Sequence, residues 1–203
     1  MSTFSWTSAV ALAVVLAAVV GAAAQDKRVS VALLKMPYVG ERNTAELSPA
    51  PDRLVSGGLA ASLEAVGARV KSVAAARLSA EQEKAYGAWN RLALANGQLA
   101  DLVSASIREG DLPVGLLANC SSLLGMLGGV QRSGVTSRPL RVGLVYLDAH
   151  ADFNTPETTL SGMLGGMDVA AAAGLCLTNL RRTSKLEVPL PTRHIILGGV
   201  RDT

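Results

Sequence analysis

The chain has 203 residues, of which 49% are hydrophobic and 3% aromatic, and a formal net charge of +3. That length is enough for one domain with a real core. The small, scattered positive charge offers no basic stripe or aromatic platform for nucleic acid, and two cysteines, Cys120 and Cys176, are too few for a disulfide scaffold.

The first feature along the chain is an apolar run from Ala9 to Ala24, made of Ala, Val, Leu and Gly. It is short for a membrane span, which needs about 20 residues. Ala22-Ala23-Ala24 ahead of Gln25 fits a small-residue cleavage site. The expectation is a signal peptide over residues 1–24, although Met1–Ser8 contains no Lys or Arg. An uncleaved membrane anchor is the alternative, and a misassigned start the third reading. Residues 25–203 then form the folded part. It is secreted or periplasmic if the signal is real, and membrane-anchored or cytoplasmic otherwise. Contact with a membrane is expected only through residues 9–24.

Val29–Leu34 reads as a buried strand. Asp52–Gly67 is amphipathic, with Leu54, Leu59, Leu63 and Val66 three to five apart and Gly67 as a stop. Val70–Val73 is a short strand candidate. Ser79-Ala80-Glu81-Gln82 has the capping-box pattern. It should open a long helix, with Leu92, Leu99, Leu102 and Ile107 on one face as far as Gly110 and Gly97 as a point of interruption. Val114–Ala118, Arg141–Leu147 and His194–Gly198 read as strands, and Ser121–Gln131 and Gly162–Gly174 as shorter helices. Tyr38–Leu47 and Thr183–Pro191 read as loops. Strands alternating with helices indicate an α/β fold, a three-layer α/β/α arrangement with a mainly parallel sheet covered on both faces. Ligands in such sheets lie beyond the carboxyl ends of strands. Cys120, Asp148–Asp152 and Asp202 each follow an expected strand and should gather on one rim.

The chemistry is concentrated just after Val142–Leu147. Asp148, His150 and Asp152 stand at every second position. Residues two apart in an extended chain point to one side, so these three side chains converge if the extension continues. Two hard oxygen donors and an imidazole suit manganese, iron or zinc. The plainer reading is a polar strand end with a solvated histidine.

The longer string from Asp148 to Met167, Asp-Ala-His-Ala-Asp-Phe-Asn-Thr-Pro-Glu-Thr-Thr-Leu-Ser-Gly-Met-Leu-Gly-Gly-Met, closely resembles the ureohydrolase family of arginases, agmatinases and formimidoglutamases. Its Asn-Thr-Pro-x-Thr-Thr-x-Ser-Gly part is most like arginase. Leu112–Ser121 resembles the family's Gly-Gly-Asp-His-Ser strand and turn, and Arg193–Asp202 its Ile-Gly-x-Arg-Asp strand. The resemblance implies an arginase-like fold and a centre of two manganese ions. There, a metal-held hydroxide attacks the carbon of a guanidine or amidine. By position, Asp148 corresponds to the carboxylate bridging both metals, and His150 and Asp152 to ligands of one metal each. Asn154 and Ser161 correspond to residues that hold the amino-acid end of the substrate. On the residues alone, Asn154-Thr155-Pro156 is also an ordinary turn and Ser161-Gly162 a helix cap.

The chain departs from the family pattern at several positions. Cys120 stands where the family has a metal-binding histidine and is a further candidate ligand, softer than manganese prefers; its other reading is a small buried residue. Asn119 stands where the family has Asp, and Gly165 where arginase has a histidine proposed to shuttle protons. His194, the other histidine, reads as structural. The family's later Asp-x-Asp pair and Glu have no counterpart before Thr203, so the expectation is the N-terminal, C-terminally truncated portion of such a protein. Its complete form would be a manganese-dependent hydrolase cutting a C–N bond of a small guanidino or amidino substrate. The alternative is a non-catalytic or inactive fragment that keeps part of the fold and of the metal site. The family resemblance also implies a homo-oligomer.

Overall fold

A computed structural model describes residues 28–39, 46–134, 136 and 138–201. Three parallel strands, β1 (Ser30–Met36), β2 (Arg69–Ala75) and β3 (Leu112–Leu117), form a sheet in the order β2-β1-β3. Two more, β4 (Leu144–Leu147) and β5 (Ile195–Gly198), pair in parallel with each other. The α/β class and the parallel strands are as expected, but the ladders fall into two groups rather than one continuous sheet.

The central strand β1 shows why this sequence makes layers. Ala32, Leu34 and Met36 pack with Leu92, Leu99, Val103 and Leu124. Val31 and Leu33 pack with Leu116 and against Val55, Leu59 and Leu63. Alternate residues of a strand face opposite sides, so an unbroken apolar run is the mark of a strand buried on both faces. The result is helices on either side of the first sheet. The second sheet differs. Leu144 and Ile195 pack on the main core, whereas Val145, Leu147 and Ile196 are 64%, 79% and 62% exposed. Among the described residues, cover on both faces therefore holds for the first sheet and not for the second.

The stretch after Asp52 is two helices, α1 (Ala50–Ser56) and α2 (Leu59–Ala65), rather than one. Gly57-Gly58 separates them, and Gly58 adopts φ 95°, a conformation that costs glycine little. The capping box at Ser79 forms, with the Ser79 N–H donating to Gln82 Oε1 and the Gln82 N–H to Ser79 Oγ. It opens only a 3-10 turn, Gln82–Lys84. The long helix α3 begins later, at Ala88, and runs unbroken through Gly97 to Arg108. A 3-10 turn, Cys120–Ser122, leads into α4 (Leu123–Arg132). The segment expected as one helix from Gly162 is a 3-10 turn, Leu164–Met167, followed by α5 (Asp168–Ala172). The last helix, α6, is Thr178–Thr183.

Helices α3 and α4 meet through glycine. A Cβ at Gly129 would lie 2.4 Å from Val103 Cβ, and one at Gly125 would lie 2.7 Å from the Asn96 carbonyl oxygen. This close approach lets buried Asn96 donate from Nδ2 to the Ser121 carbonyl at 3.0 Å, tying the turn that carries Cys120 to α3. The Ala9–Ala24 run, its cleavage site and Asp202 lie outside the described residues. Among the described residues, no helix is long and apolar enough to cross a membrane.

The seam gives a direct test. Gly129→Ala should destabilise the chain by about 1–3 kcal/mol through overpacking, seen as a lower urea midpoint. An unchanged midpoint would mean that α4 can move off α3 without loss.

Candidate metal centre

Cys120 lies in the turn after β3. Asn119, still extended, accepts the Ser121 N–H on Oδ1 at 2.8 Å, which fixes the direction in which the chain leaves the strand. Asp148 follows β4, and its N–H donates to the Gly198 carbonyl at 3.0 Å, one ladder bond past the paired residues. Pairing continues past it, with the Arg201 N–H donating to the Ala149 carbonyl at 2.9 Å and His150 in an isolated bridge. Asp148 Oδ1 accepts the His150 N–H at 2.9 Å, an Asx-type turn, and Asp152 takes φ 46°, in the left-handed region. Asp148 and His150 both lie close enough to Asp152 to act on its carboxyl, Asp148 raising it and His150 lowering it. The His150 side chain is 65% exposed, with Nδ1 3.5 Å from Asp148 Oδ1.

Two of the expected donors, Cys120 and Asp152, come together with a further acid. The Asp152 carbonyl accepts the N–H groups of Val169 at 3.1 Å and Ala170 at 3.4 Å, and the Asn154 N–H donates to the Gly166 carbonyl at 3.1 Å. These bonds pin the loop after β4 to the start of α5. As a result, Cys120 Sγ and carboxylate oxygens of Asp152 and Asp168 lie within 4.8 Å of one another. No other such group of three is found among the described residues.

The site is electrostatically uncompensated. Asp168 is completely buried, and neither carboxylate oxygen has a hydrogen-bond partner. Burial first, then the charges of Asp152 and Asp148, push its carboxyl up to about 8. The nearby N–H groups of Val169 and Asp168 offset this only in part, because the Val169 N–H is directed to the Asp152 carbonyl. Cys120 is exposed rather than a buried core residue, but the partial desolvation of its thiol, then Asp168, Asp152 and Asp148, raise it. Asp152 is also raised, mainly by burial, although Tyr146 donates its hydroxyl to Asp152 Oδ2 and so favours the carboxylate. The Tyr146 phenol is held far above its ordinary value by burial and by the Asp168 charge. A divalent cation would neutralise this group of donors and reverse these shifts.

Asn154 and Ser161 lie on an exposed loop beside the centre. Asn154 Oδ1 accepts from Thr158 Oγ1, and Ser161 Oγ accepts the Met163 N–H at 3.2 Å. The local turn at Asn154 is therefore present, whereas Ser161 lies several residues before α5 and does not cap it. Both cysteines are free. His194 sits in a 3-10 turn ahead of β5. A cleft between α3 and α6, lined by Trp89, Asn90, Ala93, Leu177 and Asn179 among others, contains no acid, thiol or imidazole and cannot activate water.

Asp168 and Tyr146 were not among the residues singled out from sequence. Each left a signal. Asp168 is a lone acid ahead of the apolar run Val169–Ala173, and Tyr146 sits two residues before Asp148 in the same strand.

The burial of Asp168 has a pH consequence. Its carboxyl sits near 8 in the fold against 3.8 when free. Between those values the folded chain holds a proton that the unfolded chain has lost, so stability falls as pH rises and levels off above about 8. The metal-free chain should lose on the order of a few kcal/mol between about pH 5 and pH 8. Asp168→Asn should remove most of that loss. Parallel urea-unfolding curves for the two proteins would check it, and equal pH slopes would refute it.

Comparison with known proteins places the chain in a family. The family model for the arginase family matches residues 30–203. The arginase of Bacillus caldovelox is 34% identical over 110 residues, which is 54% of this chain and 35% of that protein. The arginase of Brevibacillus brevis is 26% identical over 182 residues, 87% of this chain and 58% of that one. The solved structure of the Bacillus caldovelox arginase superposes with a TM-score of 0.69, at 25% identity, covering 85% of this chain and 58% of that chain. The Bacillus subtilis arginase structure, at 23% identity and TM-score 0.71, shares the fold. The chain spans 58% or less of the length of these relatives. A chain matched from its first strand to its last residue by this model, with the same fold as these enzymes, belongs to the arginase family.

Proposed function

We propose that this chain is the part of a metal-dependent hydrolase that holds a divalent ion and cuts a C–N bond in a linear guanidine or amidine. The observation that carries this reading is the meeting of Cys120, Asp152 and Asp168 beyond the carboxyl ends of β3 and β4, where α/β folds bind ligands. Relatives narrow the substrate class. One is an N(omega)-hydroxy-L-arginine amidinohydrolase from Streptomyces lavendulae, 41% identical over 75 residues, and one arginase structure of similar fold is a complex with L-ornithine.

The donors fit one ion. Cys120, Asp152 and Asp168 would hold it, with the Asp148 carboxylate close enough to act on all three. A bound divalent ion makes hydroxide available near neutral pH. Tyr146 orients Asp152 by its hydroxyl, and Asn154 and Ser161 offer short polar groups suited to the amino-acid end of a substrate. For manganese, the ion that the family resemblance implies, the carboxylates are suitable and the thiolate is not. A second ion would need donors beyond the three gathered here, with Asp148 and His150 the nearest in sequence.

A second reading, a metal-binding protein without catalysis, is favoured by Gly165. It has no side chain to carry a proton, and a Cβ there would meet nothing within 4 Å.

Urea release from L-arginine, N-hydroxy-L-arginine and agmatine separates the two readings. The expected result is slow, metal-dependent release that falls by about a hundredfold or more in Asp152→Asn, as when a group that stabilises the transition state is lost. Ion binding with no release from any of these substrates would favour the second reading.

A further inference from the structure

We infer that Cys120, Asp152 and Asp168 form a site for a single thiophilic divalent ion, of the zinc, cobalt(II) or iron(II) class, in preference to manganese. The three donor atoms lie within 4.8 Å of one another and come from three separate places in the fold: the turn after β3, the loop after β4 and the start of α5. Asp168 is the independent observation. It is fully buried, neither oxygen has a partner, and its carboxylate is directed at the thiol and the second carboxylate. A buried carboxylate is costly unless something compensates it, and here the missing partner is a cation.

The ion class follows from the donors. Thiolate ligands select zinc or iron over manganese, whereas carboxylate alone would not discriminate in that direction. Three protein donors leave the fourth position of a tetrahedral ion open, as in catalytic zinc sites. Tyr146 supplies the outer support that such sites use. Its hydroxyl donates to Asp152 Oδ2, leaving the other carboxylate oxygen for the ion. On binding, the thiol gives its proton to solvent and sulfur forms the metal bond, with no change in oxidation state. The assignment concerns the same site as the hydrolase reading but is read without substrate. Failure of urea release would leave it standing, and its own failure would leave a manganese hydrolase standing.

The test is a cobalt(II) titration of the full chain after chelator treatment, followed by absorbance in the near-ultraviolet and visible. One equivalent should produce a thiolate-to-cobalt charge-transfer band, displaced by equimolar zinc and not by equimolar manganese. Cys120→Ser should abolish the band and Cys176→Ser should preserve it. Asp168→Asn removes the buried charge and so should fold. It should lower cobalt affinity by about tenfold or more with an unchanged far-ultraviolet circular dichroism spectrum. A band that survives Cys120→Ser, wild-type affinity in Asp168→Asn, or displacement by equimolar manganese would each overturn the assignment. If Cys120→Ser does not fold, Asp168→Asn and the manganese competition on the unaltered chain decide it.

Discussion

The carboxylate of Asp168 sits out of water without a hydrogen-bond donor on either oxygen. An unpaired buried charge costs several kcal/mol, and only a proton or a cation removes that cost. The nearby N–H groups relieve it only in part, and the side chains around it make it worse. Asp152 and Asp148 add negative charge, and the thiol of Cys120 is disfavoured as a thiolate by the same three acids. The arrangement is poor as a core and well suited to a positive ion. It makes this cluster a place where the fold gives up stability.

Two joins hold the arrangement in place, and each ends on a backbone carbonyl. The first is the glycine contact between α3 and α4, which brings Asn96 to the Ser121 carbonyl and so locates the turn at Cys120. The second is the Asp152 carbonyl, which accepts from the first turn of α5. Neither depends on the functional side chains. A scaffold of this kind can change its donors without changing where they meet.

Much of this was legible in the sequence. The run Val29–Leu34 declared a doubly buried strand, and the Asp148–Met167 string identified the family and the neighbourhood of the metal centre. Strand and helix boundaries were less legible, because Gly58 and Gly87 take conformations that overrule the apolar period. The ligand set was the least legible part. Alternation along a strand pointed to Asp148, His150 and Asp152, and the left-handed backbone at Asp152 takes that residue out of the alternation. The third donor, Asp168, arrives through a hydrogen bond from a helix later in the chain. Contacts of that kind carry no local spacing rule.

The backbone at Asp152 limits what this position can be. With φ 46°, it lies where β-branched and bulky residues are strained and where Gly, Asn and Asp are the usual occupants. Of these, Asp alone carries an anionic oxygen. The residue must meet a conformational demand and a coordination demand at once, and the genetic alphabet has one side chain that meets both. Even glutamate, with the same charge and a longer arm, would satisfy the ion only at the expense of the turn.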